Sequence, residues 1–226
     1  MQFYVVELVY NRHEATIAGG LWVNAPRYFC LECGAWRPEK GSPHEIEITL
    51  ERVGRAGFVE VLRNLELPLF RQDVIDLWQS AGFTGFDART VRILGFTKKR
   101  KGRSLPKEMP QYYQLVLMSE VTLEAPPLLY RCPICGYKKY DFDRTGLRVD
   151  ISTWDGSSIF GIGYPKIVLC TRDVADATLR AGYGKSIPFV HAEEWGAWER
   201  FNVHRWDAKE WKKMLEGYLI RRVEDL

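Results

Sequence analysis

Hydrophobic and polar positions fall into two periodicities along this chain. Phe3–Tyr10, rich in β-formers, reads as a first strand, and His44–Glu51 (HEIEITLE) alternates strictly, with Ile46, Ile48 and Leu50 on one face. Gln114–Leu123 predicts a long strand closed by Pro126–Pro127, Leu147–Thr153 (LRVDIST) a further one, and Lys166–Cys170 a short buried one. Helical spacing appears in Phe70–Ala81, where Val74, Ile75 and Trp78 share a face and Gly82 supplies the left-handed stop. Asp173–Ala181 repeats that design before Gly182. The strongest helical pattern is the last: Asp207 and Glu210 form a capping box, followed by an apolar stripe of Trp211, Met214, Leu215, Tyr218 and Leu219.

The predicted elements recur in order. Cys30–Gly34 (CLECG) is followed, 48 residues after Cys33, by Ala81-Gly82-Phe83-x-Gly85, and Cys132–Gly136 (CPICG) is followed, 46 residues after Cys135, by Ala181-Gly182-Tyr183-Gly184. This suggests a pseudo-repeat with halves of roughly 1–104 and 105–226. Strands and helices in this order predict an α+β protein.

Composition narrows the class. With 46% hydrophobic and 27% charged residues in 226, the chain has enough apolar content for a packed core and is neither disordered nor fibrous. No apolar run approaches the ~18 residues of a membrane span. The N-terminus has Glu7 within its apolar stretch and no basic leader, so no secretory signal is expected and the reading is cytoplasmic. A net charge of +3 and a pI near 8.5 argue against a polyanionic partner, since nucleic-acid-binding domains usually have a pI above ~9.

Cysteine changes the picture most. Four of the five cysteines, Cys30, Cys33, Cys132 and Cys135, stand in two CxxCG pairs. Each pair can form a knuckle, a tight turn that aims two sulfurs at one point, with the following glycine tolerating positive φ. Four thiolates fill the tetrahedral set of structural Zn²⁺ and leave no open catalytic position. The alternatives are a redox CxxC pair, which would open a helix after a strand; two separate zinc sites, for which His13 and His44 could serve only the first pair; and metal-free cysteines. One zinc shared by all four is the preferred reading. Cys170, in an apolar strand, reads as a small core residue.

No catalytic signature occurs: GxGxxG, GxxxxGK[ST], HExxH and GxSxG are all absent, so no enzyme is expected. His191 with Glu193 and Glu194 could act as an acid–base set, against a plain surface turn. Asp141 and Asp143 could pair as carboxylates, against the solvent face of an edge strand. His204 is isolated. Lys98, Lys99, Arg100, Lys101 and Arg103 lie in the loop Thr97–Pro110 and could meet phosphate or an acidic protein surface, or simply be solvated.

The two motifs Cys30-Leu31-Glu32-Cys33-Gly34 and Cys132-Pro133-Ile134-Cys135-Gly136, with Trp36 soon after the first, resemble those of the myxobacterial double-CXXCG motif proteins. The similarity would span nearly the whole chain, with only the cysteine motifs specific. It implies metal binding and, for some members, immunity against a cognate lipoprotein toxin delivered between kin bacteria.

Taken together, the expectation is a single cooperative α+β unit over 1–226, with two related sheet-plus-helix halves sharing one four-cysteine zinc site and the C-terminal helix packed across them. Its expected function is to bind and neutralise a toxin, through Lys98–Arg103 or through the acidic Glu193, Glu194 and Glu199. The alternative is a zinc-ribbon nucleic-acid binder.

Overall fold

A computed structural model describes residues 1–6, 16–19, 27–34, 36–38, 46–52, 58–62, 68–96, 108–125, 128–140, 146–162 and 167–195. In chain order the strands are β1 (Phe3–Val6), β2 (Thr16–Gly19), β3 (Arg27–Phe29), β4 (Trp36–Pro38), β5 (Ile46–Arg52), β6 (Val61–Leu62) and β7 (Leu69–Arg71). Helix α1 (Gln72–Ser80) precedes β8 (Phe86–Phe96), β9 (Tyr112–Leu117), β10 (Leu123–Ala125), β11 (Leu128–Arg131), β12 (Lys138–Tyr140) and β13 (Arg148–Val149). Then come β14 (Ile159–Gly161), β15 (Val168–Thr171), α2 (Arg172–Arg180) and β16 (Phe189–His191). The fold is α+β.

The chain forms two compact units, and each draws on both halves of the sequence. Unit 1 comprises Met1–Val23, Glu45–Thr122 and Asp150–Ala192, and unit 2 comprises Asn24–His44, Leu123–Val149 and Glu193–Leu226.

Unit 1 holds a six-stranded mixed sheet, β2-β5-β8-β9-β7-β6, and a four-stranded antiparallel sheet, β14-β15-β1-β16. The alternation in HEIEITLE places Ile48 and Leu50 wholly out of solvent on β5, which runs parallel to β8 with Ile48 opposite Ile93. They pack with Leu62, Leu69, Val91 and Tyr112. A second apolar cluster joins the two helices: Val74, Ile75 and Trp78 of α1 meet Val174 and Ala175 of α2 and Cys170 of β15.

The helices are built alike. Each leaves a strand directly, carries an aspartate in its first turn (Asp73, Asp173), where it opposes the positive end of the helix dipole, and stops at a left-handed glycine. Gly82 has φ 74° and Gly182 φ 88°. At α1 the stop is a Schellman arrangement, with the Phe83 N–H donating to the Trp78 carbonyl at 3.1 Å. Positions match at an offset of 100 residues, and one such pair touches: the buried Trp78 indole N–H donates to Thr178 Oγ1 at 2.9 Å, and that hydroxyl donates to the Val174 carbonyl at 2.7 Å.

A polar network ties the start of α1 to its surroundings. Arg71 grips Asp73 through Nε and Nη2 at 2.8 and 2.7 Å, and reaches Glu60 at 3.1 Å. Asp73 also accepts from the Tyr183 hydroxyl at 3.0 Å. The Arg71 hydrogen bond holds the Asp73 carboxyl below its usual range, against a smaller opposing effect of burial.

Three expected elements end differently. Strand Gln114–Leu123 divides into β9 and β10, because Glu120 bridges Gly161 and the chain turns there, with the Val121 N–H donating to the Gly161 carbonyl at 2.8 Å. LRVDIST stops as a strand at Val149: the Asp150 carboxylate accepts the Ser152 N–H at 3.0 Å and caps a single 3-10 turn, Ile151–Thr153. The helix expected from Phe70 begins at Gln72, because Phe70 and Arg71 pair with Tyr113 and Tyr112 of β9. The expected C-terminal helix with its stripe Trp211–Leu219 lies outside the described residues, as do 7–10 of the first strand and most of the loop Thr97–Pro110.

Gly85 is required twice over. Its φ is 91°, and a Cβ there would lie 2.1 Å from the Ile159 carbonyl oxygen. The helix pair yields a direct test. Thr178→Val keeps the shape but strands the buried Trp78 N–H, which should cost about 2 kcal/mol. Urea unfolding should show a lowered midpoint at unchanged m-value. A midpoint equal to that of the parent would mean that the hydrogen bond contributes nothing.

Candidate metal centre

Both cysteine pairs sit at the tips of short antiparallel hairpins in unit 2. β3 and β4 close around Cys30–Gly34, with Phe29 opposite Trp36, and β11 and β12 close around Cys132–Gly136, with Arg131 opposite Lys138. The same turn is made in each. Gly34 N–H donates to the Cys30 carbonyl at 2.8 Å, and Gly136 N–H donates to the Cys132 carbonyl at 3.0 Å. The glycines have φ of 71° and 69°, a region L-residues rarely occupy. At Gly136 a Cβ would meet nothing within 4 Å, so the backbone angle, and not lack of room, selects glycine there.

The two tips converge. Cys30 Sγ lies 3.7 Å from Cys132 Sγ, Cys33 Sγ lies 3.4 Å from Cys135 Sγ, and all four sulfurs fall within 4.8 Å of one another. A tetrahedron of thiolates at ~2.3 Å from a central ion has sulfurs ~3.8 Å apart, so these four could hold a metal ion. Cys30 and Cys132 are buried, while Cys33 and Cys135 are half-buried, so one edge of the cluster faces inward and the other towards solvent. All five cysteines are thiols.

The electrostatics are uneven within the cluster. Burial pushes the Cys132 thiol up, but the N–H groups of Cys135 and Ile134, the Tyr130 hydroxyl and the Cys135 thiol together outweigh it and bring its pKa down from 9.0 to about 6. Burial raises Cys135, against the Tyr137 N–H. The hydrogen bond from Tyr130 to Cys132, with burial, holds the phenol protonated up to about 12. Backbone N–H donors and one phenol thus prepare a thiolate before any cation arrives. Tyr130 escapes a reading of the motif alone. Its position two residues before Cys132 places it on β11, where the turn brings its hydroxyl back to the sulfur.

Among the described residues, the remaining candidates do not join this site. Cys170 is fully buried in β15 within the unit 1 core, and burial alone raises its thiol. His191 ends β16, with its ring edge-on to Tyr4 at 5.5 Å. Glu193 and Glu194 are exposed on the following 3-10 turn, Ala192–Glu194. Lys98, Lys99, Arg100, Lys101, Arg103, His13, His44, His204, Asp141, Asp143 and Glu199 lie outside the described residues. Among the described residues, no helix is long and apolar enough to cross a membrane.

The Cys132 shift has a definite sign. A thiol whose folded pKa lies below its unfolded value stabilises the metal-free fold fully above about 9, and that stability is lost as pH falls through about 6. Chelator-stripped protein at pH 7 should therefore show ultraviolet thiolate absorbance that Cys132→Ser removes, and alkylation should leave Cys170 unlabelled until denaturant is added. Early labelling of Cys170 in the folded protein would contradict its burial.

Compared with known proteins, the chain matches no protein-family model and no curated protein.

Proposed function

We propose that the four cysteines hold one structural zinc ion and that the protein works by binding another protein, neutralising a cognate bacterial toxin. The observation that carries the first part is the sulfur geometry: four thiols from two knuckles lie within 4.8 Å of one another. A soft, tetrahedral, all-sulfur set suits zinc and leaves no position for a substrate or an activated water. When bound, the ion contributes folding free energy and no chemistry.

The binding role is supported by that closed site and by the likeness of both CxxCG motifs to the double-CXXCG motif proteins, some of which are immunity proteins. An inhibitor of this kind needs a rigid scaffold, because preorganisation lowers the entropic cost of association. A metal clip between two hairpins supplies rigidity where those hairpins are short.

Metal analysis of purified protein should give one zinc per chain. Cys33→Ser and Cys135→Ser should each lose essentially all of the zinc, and soluble yield should fall with it. Full zinc content in both variants would refute the shared site. Co-expression with the product of the adjacent toxin gene should yield a stable complex and restore growth. Failure of both would overturn the immunity reading, and steeply salt-dependent retention on DNA or RNA would favour a nucleic-acid binder instead.

A further inference from the structure

The four clustered sulfurs divide by exposure into two pairs, and each pair spans the two hairpins. Cys30 and Cys132 are 2% and 1% exposed, whereas Cys33 and Cys135 are half-buried and reach solvent. Each knuckle therefore gives one sulfur to an inner pair and one to an outer pair. The outer sulfurs are 3.4 Å apart and the inner ones 3.7 Å. Both knuckles belong to unit 2, so these separations lie within one compact body.

Exposure and distance together select one chemistry. Thiol oxidation follows access to the sulfur, and it ends in a disulfide where a second thiol stands close enough to resolve the first product. An oxidant arriving from solvent meets the outer pair first. For either outer sulfur, the partner within its own knuckle is buried, and the partner on the same exposed edge belongs to the other hairpin. Closing from 3.4 Å to the ~2.05 Å of a disulfide asks for small rotations about two Cα–Cβ bonds.

We infer that Cys33 and Cys135 form a modification site, which a hydroperoxide oxidises to a disulfide joining the two hairpin tips. Cys33 Sγ attacks the terminal peroxide oxygen, and the O–O bond breaks to leave a sulfenic acid on Cys33 and an alcohol. Cys135 Sγ then attacks the Cys33 sulfur. The S–S bond forms as the S–O bond breaks, and the hydroxyl departs as water with the Cys135 thiol proton. The two thiols lose two electrons and the peroxide gains them; a dithiol reverses the step by exchange. The crosslink rests on the sulfur geometry alone, while its effect on a metal rests on the zinc reading. Cys30 and Cys132 are then half of a tetrahedral set, so a bound ion is released. The covalent bond takes over the attachment of the tips. Cys170, wholly buried in the unit 1 core, stays outside this chemistry.

The test uses the protein as purified, with its zinc content measured. It is treated with one equivalent of tert-butyl hydroperoxide, free thiols are alkylated, and disulfides are mapped by tandem mass spectrometry. Cys33–Cys135 should exceed every other pairing at least tenfold, with Cys170 still a thiol. Zinc should leave in proportion, and dithiothreitol should restore all four thiols. A disulfide within one knuckle, or between Cys30 and Cys132, that forms ahead of Cys33–Cys135 overturns the proposal. So does a cluster still fully reduced after excess hydroperoxide, or zinc retained in protein that carries the crosslink. Protein purified without zinc that still forms Cys33–Cys135 first sinks the zinc reading and supports this one.

Discussion

The convergence of four sulfurs is the constraint on which unit 2 depends. Both apolar clusters among the described residues, one around Trp78 and one around Tyr112, belong to unit 1. Among the described residues, unit 2 contains the two-stranded pairs β3-β4, β10-β13 and β11-β12, and its buried apolar side chains besides cysteine include Leu123, Tyr140, Leu147, Val149 and Trp195. A two-stranded ribbon is marginal alone in water, and small folds short of core commonly rely on a metal. Bringing four thiolates this close without a cation is costly, since two like charges 4 Å apart repel by about 4 kcal/mol at an effective dielectric of 20. The opposed shifts of Cys132 and Cys135 have other sources, hydrogen bonds from N–H groups and Tyr130 outweighing burial at the first and burial itself at the second, and leave that repulsion standing. A divalent ion would resolve it, turning repulsion into the attachment between the hairpins.

Matching pieces recur along the chain. The first half contributes one knuckle and one strand–helix–glycine piece, β7-α1-Gly82, and the second half contributes another of each, with β15-α2-Gly182. The two knuckles go to unit 2, and the two strand–helix pieces go to unit 1, where Trp78 and Thr178 bond at a separation of 100 residues. The cysteine partners are separated by 102. Nearly equal spacings in both units fit a chain whose halves share one plan and exchange pieces across two assemblies. Chain distance between the CxxCG motifs is no obstacle to a common site, since both knuckles belong to the same compact unit.

What the sequence disclosed follows from where the physics is local. The strand over Ile46–Leu50, both helices, their glycine stops and the buried Cys170 strand are set by alternation, by 3.6-residue spacing and by backbone angles that glycine alone adopts cheaply. The elements that ended early depend on distant partners: β9 stops because Gly161 meets Glu120, and α1 starts late because β9 claims Phe70 and Arg71. The CxxCG spacing announced both knuckles, since a turn that aims two sulfurs is itself local. Their mutual approach to within 4.8 Å is a tertiary fact, and the Tyr130 hydroxyl reaching Cys132 is another, invisible to a motif that begins at the cysteine.

A closed sulfur site also limits where function can reside. On the proposed reading, four cysteines complete the coordination of a tetrahedral ion, and the ion acts by fixing the shape of what surrounds it. The residues between the ligands, Leu31 and Glu32 in one knuckle and Pro133 and Ile134 in the other, make no ligand contact and are exposed. Their positions are nonetheless dictated by the sulfurs beside them, as are those of β11 leading into Cys132. On that reading a metal clip holds the two short hairpin tips in one geometry, and recognition would then be a property of those tips. Specificity can then change through those tip residues without disturbing the four thiols, because ligation restricts only the cysteines and the glycines whose positive φ closes each turn.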